Sequence, residues 1–137
     1  KDLMKTAGGK YIAPQLIESM LLTDHYIEQV AIIGDLRKYV SALIVPSFIN
    51  LEEYAKAHAI AYSSREELIA RPEIATFYEN RIDEDTSELA RYEKIKKFTL
   101  LPQEFTVESG EITPTFKTVR KTVDSNYKDT IDSMYEE

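Results

Sequence analysis

At 137 residues, 43% of them hydrophobic and 30% charged, the chain is the size of one domain with a genuine core and a solvated surface. It has no cysteine, and its two histidines, His25 and His58, lie far apart, so disulfides, thiolate catalysis and cysteine-ligated metals are excluded and no metal site is expected. The formal charge of −7 argues against nucleic acid as a partner, although residues 94–121 carry six cations against three acids and suit a small phosphate-bearing ligand.

The chain opens without an initiator Met or a preceding turn and reads as a cut piece of a longer protein. Thr6-Ala7-Gly8-Gly9-Lys10-Tyr11 predicts a tight turn between two short strands, because paired glycines permit the positive φ of a hairpin. A helix follows Ala13, with Pro14 in its first turn and Leu16, Ile17, Met20 and Leu21 as its apolar face. Residues 26–34 and 39–46 read as two Val/Ile/Ala-rich strands inside a sheet, joined by a polar turn at 34–38. Asn50 is the expected N-cap of a helix over 51–59. Ser63 or Ser64 caps a short helix with Glu66 and Glu67 in its first turn, where the helix dipole favours acids.

Arg71-Pro72 breaks that helix and opens a longer one over 72–92, with Ile74, Phe77, Tyr78, Ile82 and Leu89 as its buried stripe. Residues 96–101 form a strand that Pro102 ends. Segments 105–108 and 111–113 flank Ser109-Gly110 as a second hairpin. A last helix runs over about 121–135, with Val123, Tyr127, Ile131 and Met134 at helical spacing. The expected fold class is α+β: a small β-sheet with helices packed on it, plus N-terminal and C-terminal β-hairpins. No run approaches the roughly 20 apolar residues of a membrane helix.

Two segments carry chemistry, one near each end. The first is Lys1-Asp2-Leu3-Met4-Lys5-Thr6-Ala7-Gly8-Gly9-Lys10-Tyr11-Ile12-Ala13-Pro14-Gln15-Leu16-Ile17-Glu18. A glycine pair in a hairpin lets backbone approach a ligand closely, but alone it is a plain turn, and the Walker spacing of a phosphate loop is absent. The second is Ser109-Gly110-Glu111-Ile112-Thr113-Pro114-Thr115-Phe116-Lys117-Thr118-Val119-Arg120-Lys121, in which Pro114 stiffens a loop presenting Lys117. A lysine there is a mobile point charge able to bridge a carboxylate and a phosphate, and an isolated one is ordinarily solvated.

Together the two segments resemble the motifs of acyl-adenylate-forming enzymes, a family of acyl-CoA synthetases, luciferases and peptide-synthetase adenylation domains. The first is similar to the junction between their large and small domains. The second is similar to their terminal lysine loop in its long-chain fatty-acid form, Thr113-Pro114-Thr115-Phe116-Lys117 followed by Arg120. Phe116 stands where other branches carry a loop glycine, which speaks against the short-chain and luciferase branches.

The resemblance implies a C-terminal lid domain over 1–137, with a large N-terminal ATP- and acyl-binding domain as its partner. It implies a long-chain fatty-acid–CoA ligase that makes acyl-AMP and pyrophosphate from ATP with Mg2+, then acyl-CoA and AMP. Lys117 is then the adenylation lysine. Lys1 or Asp2 is the hinge, with the register favouring Lys1. Lys5, Gly8, Gly9 and Lys10 line the CoA channel, and Arg120, Lys121 and the run at 94–97 are candidate CoA phosphate contacts. Lys117→Ala is expected to block the first step and Gly9→Leu the second. The implied location is cytoplasmic, with peripheral membrane association of the parent as an option. The alternatives are a fatty-acyl-AMP ligase acting on a carrier protein and a non-catalytic binding module.

Overall fold

The computed structural model describes residues 2–136. Strands β1 (Met4–Lys5) and β2 (Tyr11–Ile12) pair antiparallel, as the glycine turn between them predicts. Gly9 takes φ +87°, and the turn closes through Thr6 N–H donating to the Lys10 carbonyl at 2.9 Å and Gly9 N–H donating to Thr6 at 2.9 Å.

Helix α1 (Pro14–Leu22) then packs against β3 (Ile27–Ile33). Its buried stripe is Pro14, Ile17, Glu18 and Leu21, not the all-apolar face expected: Leu16 is exposed, and an acid takes the inward position. Met20 is half-buried, as a side position on the same face allows.

A three-stranded sheet in the order β3-β4-β5 forms the centre. Strand β4 (Val40–Pro46) pairs antiparallel with β3 and parallel with β5 (Ile95–Leu100). All seven residues of β4 are buried, because both faces of the sheet are covered. The period of two sorts the side chains into separate cores. Val30, Ile32, Val40, Ala42 and Ile44 face one core, and Ala31, Ile33, Leu43 and Val45 face the other. The first core is filled by α1, α2 (Phe48–Ala57), α3 (Arg65–Ala70) and α4 (Pro72–Asp85). The second is filled by Leu101, Phe105, Ile112 and the helices α5 (Arg120–Asn126) and α6 (Lys128–Ser133).

Four boundaries differ from expectation, each for a local reason. Helix α2 starts behind Ser47, not Asn50; Asn50 sits in the first turn and donates from Nδ2 to the His25 carbonyl at 2.7 Å. Helix α4 stops at Asp85 because Thr86 leaves helical geometry and turns its hydroxyl back to the Ile82 carbonyl at 2.7 Å; Leu89 then folds into the same core from outside the helix. The final helix is broken at Tyr127, which takes φ −116°. The expected C-terminal hairpin has no paired strands: Gly110 makes its turn at φ +80°, but the pairing is a lone antiparallel bridge from Ile112 to Thr118. Ser64, by contrast, caps α3 as expected, its side chain accepting from Glu67 N–H. No helix among the described residues is long and apolar enough to cross a membrane.

Candidate functional site

The loop carrying Lys117 is pinched at its base by the bridge from Ile112 to Thr118. Inside it, Thr113 N–H donates to the Lys117 carbonyl at 2.9 Å, Phe116 N–H to the Thr113 carbonyl at 2.7 Å, and Lys117 N–H to Thr113 Oγ1 at 3.0 Å. Phe116 sits at φ +65°, in the left-handed region that glycine favours, with 79% of its surface exposed. The loop therefore keeps the backbone of a glycine turn without the glycine. Lys117 is exposed, and among the described residues no ion pair engages its ammonium.

Below the loop, Gln29 holds residue 105 as if it were a strand partner. Phe105 N–H donates to Gln29 Oε1 at 2.7 Å, and Gln29 Nε2 donates to the Phe105 carbonyl at 3.0 Å. This opens a cleft of about 720 Å³ between α1, the free edge of β3 and residues 104–118, with Lys117 and Phe116 on its border. Glu18, Glu28, Glu104 and Glu108 also line it, which makes it a poor phosphate pocket on its own. An anion would meet Lys117 at the exposed rim of the cleft.

Arg120 is not free for solvent. Its Nη1 and Nη2 donate to the two oxygens of Glu18 at 2.7 and 2.9 Å, and its Nε donates to Asp2 Oδ2 at 2.9 Å. Glu18, 7% exposed, also accepts from Ile32 N–H at 2.9 Å. The segment at Asp2 and helix α1 thus meet on one guanidinium from the start of α5. Lys121, next to it, is exposed.

The glycine hairpin is braced by the β3–β4 turn. Ala7 N–H donates to the Arg37 carbonyl at 2.8 Å, Leu36 N–H to the Lys5 carbonyl at 2.8 Å, and Lys5 N–H to Asp35 Oδ1 at 3.1 Å. Lys5 and Lys10 are exposed and lie over the rings of Tyr11 and Tyr92 at 5.6 and 5.2 Å. A side chain at Gly8 or Gly9 meets nothing within 4 Å, so the space in front of the turn is open. Lys94 donates to the Thr86 carbonyl at 2.9 Å, while Lys96 and Lys97 are exposed on edge strand β5. The expected hinge at Lys1 lies outside the described residues.

Residues 1–137 match the family described as AMP-binding enzyme C-terminal domain. The chain belongs to that family. This AMP-binding C-terminal domain is 30% identical over 136 residues to long-chain-fatty-acid–CoA ligase FadD15 of Mycobacterium tuberculosis, covering 98% of the chain and 23% of the relative. It is 31% identical over 139 residues to human long-chain-fatty-acid–CoA ligase 1, covering 98% of the chain and 20% of the relative. The domain thus spans about a fifth of the length of the curated relatives it matches. Its fold superposes on the adenylation domain of a carboxylate reductase from Mycobacterium chelonae with a TM-score of 0.76 at 24% identity, over 97% of the chain and 19% of that protein.

Among the described residues of the domain, no cluster of three or more His, Asp or Glu side chains is placed to hold a metal ion. Sequence reasoning missed Glu18 as more than a motif position. The signal was available: an acid at the inward spacing of an otherwise apolar helix face demands a buried partner.

Proposed function

We propose that this domain is the mobile C-terminal domain of a long-chain fatty-acid–CoA ligase, in which Lys117 serves adenylation and the glycine hairpin serves thioester formation. The observation that carries the reading is the unengaged ammonium of Lys117 on a pinched, exposed loop. The likeness along the whole chain to long-chain ligases supports it.

In the first step a fatty carboxylate oxygen attacks the α-phosphorus of ATP, and the bond to pyrophosphate breaks. Negative charge concentrates between the carboxylate and the phosphate, and a positioned cation offsets it. Lys117 fits that task as a point charge on a flexible stem. In the second step the CoA thiol attacks the acyl carbonyl and AMP leaves. Gly8 and Gly9, with Lys5 and Lys10 beside them, supply a turn with open space in front of it, which suits a narrow pantetheine path. Lys121 remains available for a CoA phosphate. ATP with its Mg2+, and the acyl chain, are held by the large N-terminal domain on this reading, and hinged rotation near Asp2 brings each motif to the site in turn. The parent works in the cytoplasm, where ATP and CoA are supplied.

In the full-length ligase, Lys117→Ala is expected to slow acyl-AMP formation by about 100-fold or more, with thioester formation from supplied acyl-AMP preserved. Gly8→Leu should do the reverse. Gly8 is a cleaner probe than Gly9, because Gly9 at φ +87° would also be strained by any side chain. Single-turnover pyrophosphate release and acyl-CoA production measure the two steps. Equal loss of both steps in each variant would overturn the assignment.

A further inference from the structure

Among the described residues no hydrogen bond or ion pair engages the Lys117 ammonium, so what aims it is its loop, whose backbone is held by Lys117 N–H donating to Thr113 Oγ1. One post of that loop is held by the main chain, through Val119 N–H donating to the Glu111 carbonyl at 2.8 Å. The C-terminal post continues directly into Arg120, three residues beyond Lys117 and therefore at most about 10 Å of chain away. Its guanidinium is 17% exposed and forks onto the two oxygens of Glu18. Glu18 is itself fixed to the sheet by the Ile32 N–H.

We propose that Arg120 is a positioning residue for Lys117. Its fork on buried Glu18 pins the loop's second post to α1 and β3, and its Nε bond ties the same post to Asp2 in the segment leading into the domain. This rests on the reading of Lys117 as the adenylation lysine. The chemistry requires arginine: a planar fork satisfies both Glu18 oxygens and still has an Nε–H for Asp2, whereas an ammonium is a single point that cannot reach all three acceptors in plane. It replaces the expected role of Arg120 as a CoA phosphate contact, because three of its nitrogens are already spent on carboxylates.

Two variants test it in the full-length enzyme. Arg120→Lys keeps the charge and removes the fork. Glu18→Gln is near-isosteric and keeps an oxygen for the Ile32 N–H, which guards against simple misfolding. Both should slow acyl-AMP formation at saturating ATP and fatty acid by ~10- to 100-fold, as expected of a catalytic group displaced by about 1 Å. Both should leave KM for ATP, and thioester formation from supplied acyl-AMP, within about twofold. The double variant should be no slower than the slower single, since the two residues act as one unit. A raised KM for CoA with adenylation intact would restore the phosphate-contact role and overturn the proposal. So would a loss shared equally by both half-reactions, the mark of a merely structural ion pair. Lys117→Ala separates the layers. If it abolishes adenylation while Arg120→Lys leaves it at the wild-type rate, only the positioning role falls. If Lys117→Ala is silent, the reading of Lys117 falls and this inference with it.

Discussion

Phe116 holds φ +65° with an exposed aromatic side chain. For a residue with a Cβ, that conformation costs about 1–2 kcal/mol, and glycine escapes the cost. The hydrogen bonds at Thr113 and the bridge below them force the turn whatever residue fills it. Phe116→Gly should therefore raise the unfolding free energy of the domain by roughly 0.5–1 kcal/mol, after allowing for glycine's extra entropy in the unfolded chain. A urea midpoint unchanged or lowered would show that the ring, not the backbone, sets the energy of this loop. The sequence shows that a loop glycine is missing here. It does not show that the glycine's conformation survives, because main-chain hydrogen bonds across 106–119 decide that.

At the scale of elements, the end of α4 is fastened to the turn before β3 by acids. Arg81 donates to both oxygens of Asp24 at 3.0 and 2.8 Å, and Tyr26 N–H donates to Asp24 Oδ1 at 2.9 Å. Burial alone would raise Asp24, but its hydrogen bonds with Asp85, Arg81 and the Tyr26 N–H outweigh it and hold it below the ordinary carboxylate range. Asp85 goes the other way. Burial first, then its hydrogen bond with Asp24 and the negative charge there, push it up to about 7. As a carboxylate, its Oδ2 is buried without a donor; as an acid, it has Asp24 to donate to.

The folded state thus binds a proton that the unfolded chain releases near the ordinary value of 3.8. The stability contributed by the Asp85 proton is fully present below about pH 4 and is lost as pH rises to about 7 and beyond. Wild-type urea midpoints should fall between pH 5 and 8 relative to Asp85→Asn, which donates without titrating. Parallel curves for the two proteins would rule out the shared proton. The sequence marks Asp85 only as one acid among many on a polar helix face; the neighbour that matters is 61 positions away.

Over the whole molecule, the central strand β4 has no solvent face. Residues of β3 and β4 alternate between two cores, and each fully buried Val, Leu or Ile is worth about 1.5–3 kcal/mol relative to exposure. Such a layered core favours a single cooperative unfolding transition. The cleft at Lys117 is open and lined by four carboxylates, so a nucleotide finds no phosphate cradle there. The isolated domain should unfold in one transition by circular dichroism yet form no thioester from ATP, Mg2+, palmitate and CoA. Product formation by the domain alone would contradict the proposal that it works as the partner of a larger catalytic body.

The sequence by itself determined the glycine hairpin, two strands expected at 26–34 and 39–46 and found at Ile27–Ile33 and Val40–Pro46, a serine cap at Ser63 or Ser64, and the lysine loop. Each of these is specified within a few residues, by turn chemistry, β-branched runs, a capping hydroxyl or a spaced motif. Only the tertiary structure decided the sheet order, the ends of α4 and α6, and the fate of the 105–113 segment, which becomes a pinned loop because Gln29 holds it to the edge of β3. It also decided the roles of Glu18 and Arg120. In sequence they are 102 residues apart and look like a helix-face acid and a solvated cation. Folding buries the Glu18 carboxylate, and a buried carboxylate must find a charge-assisted partner.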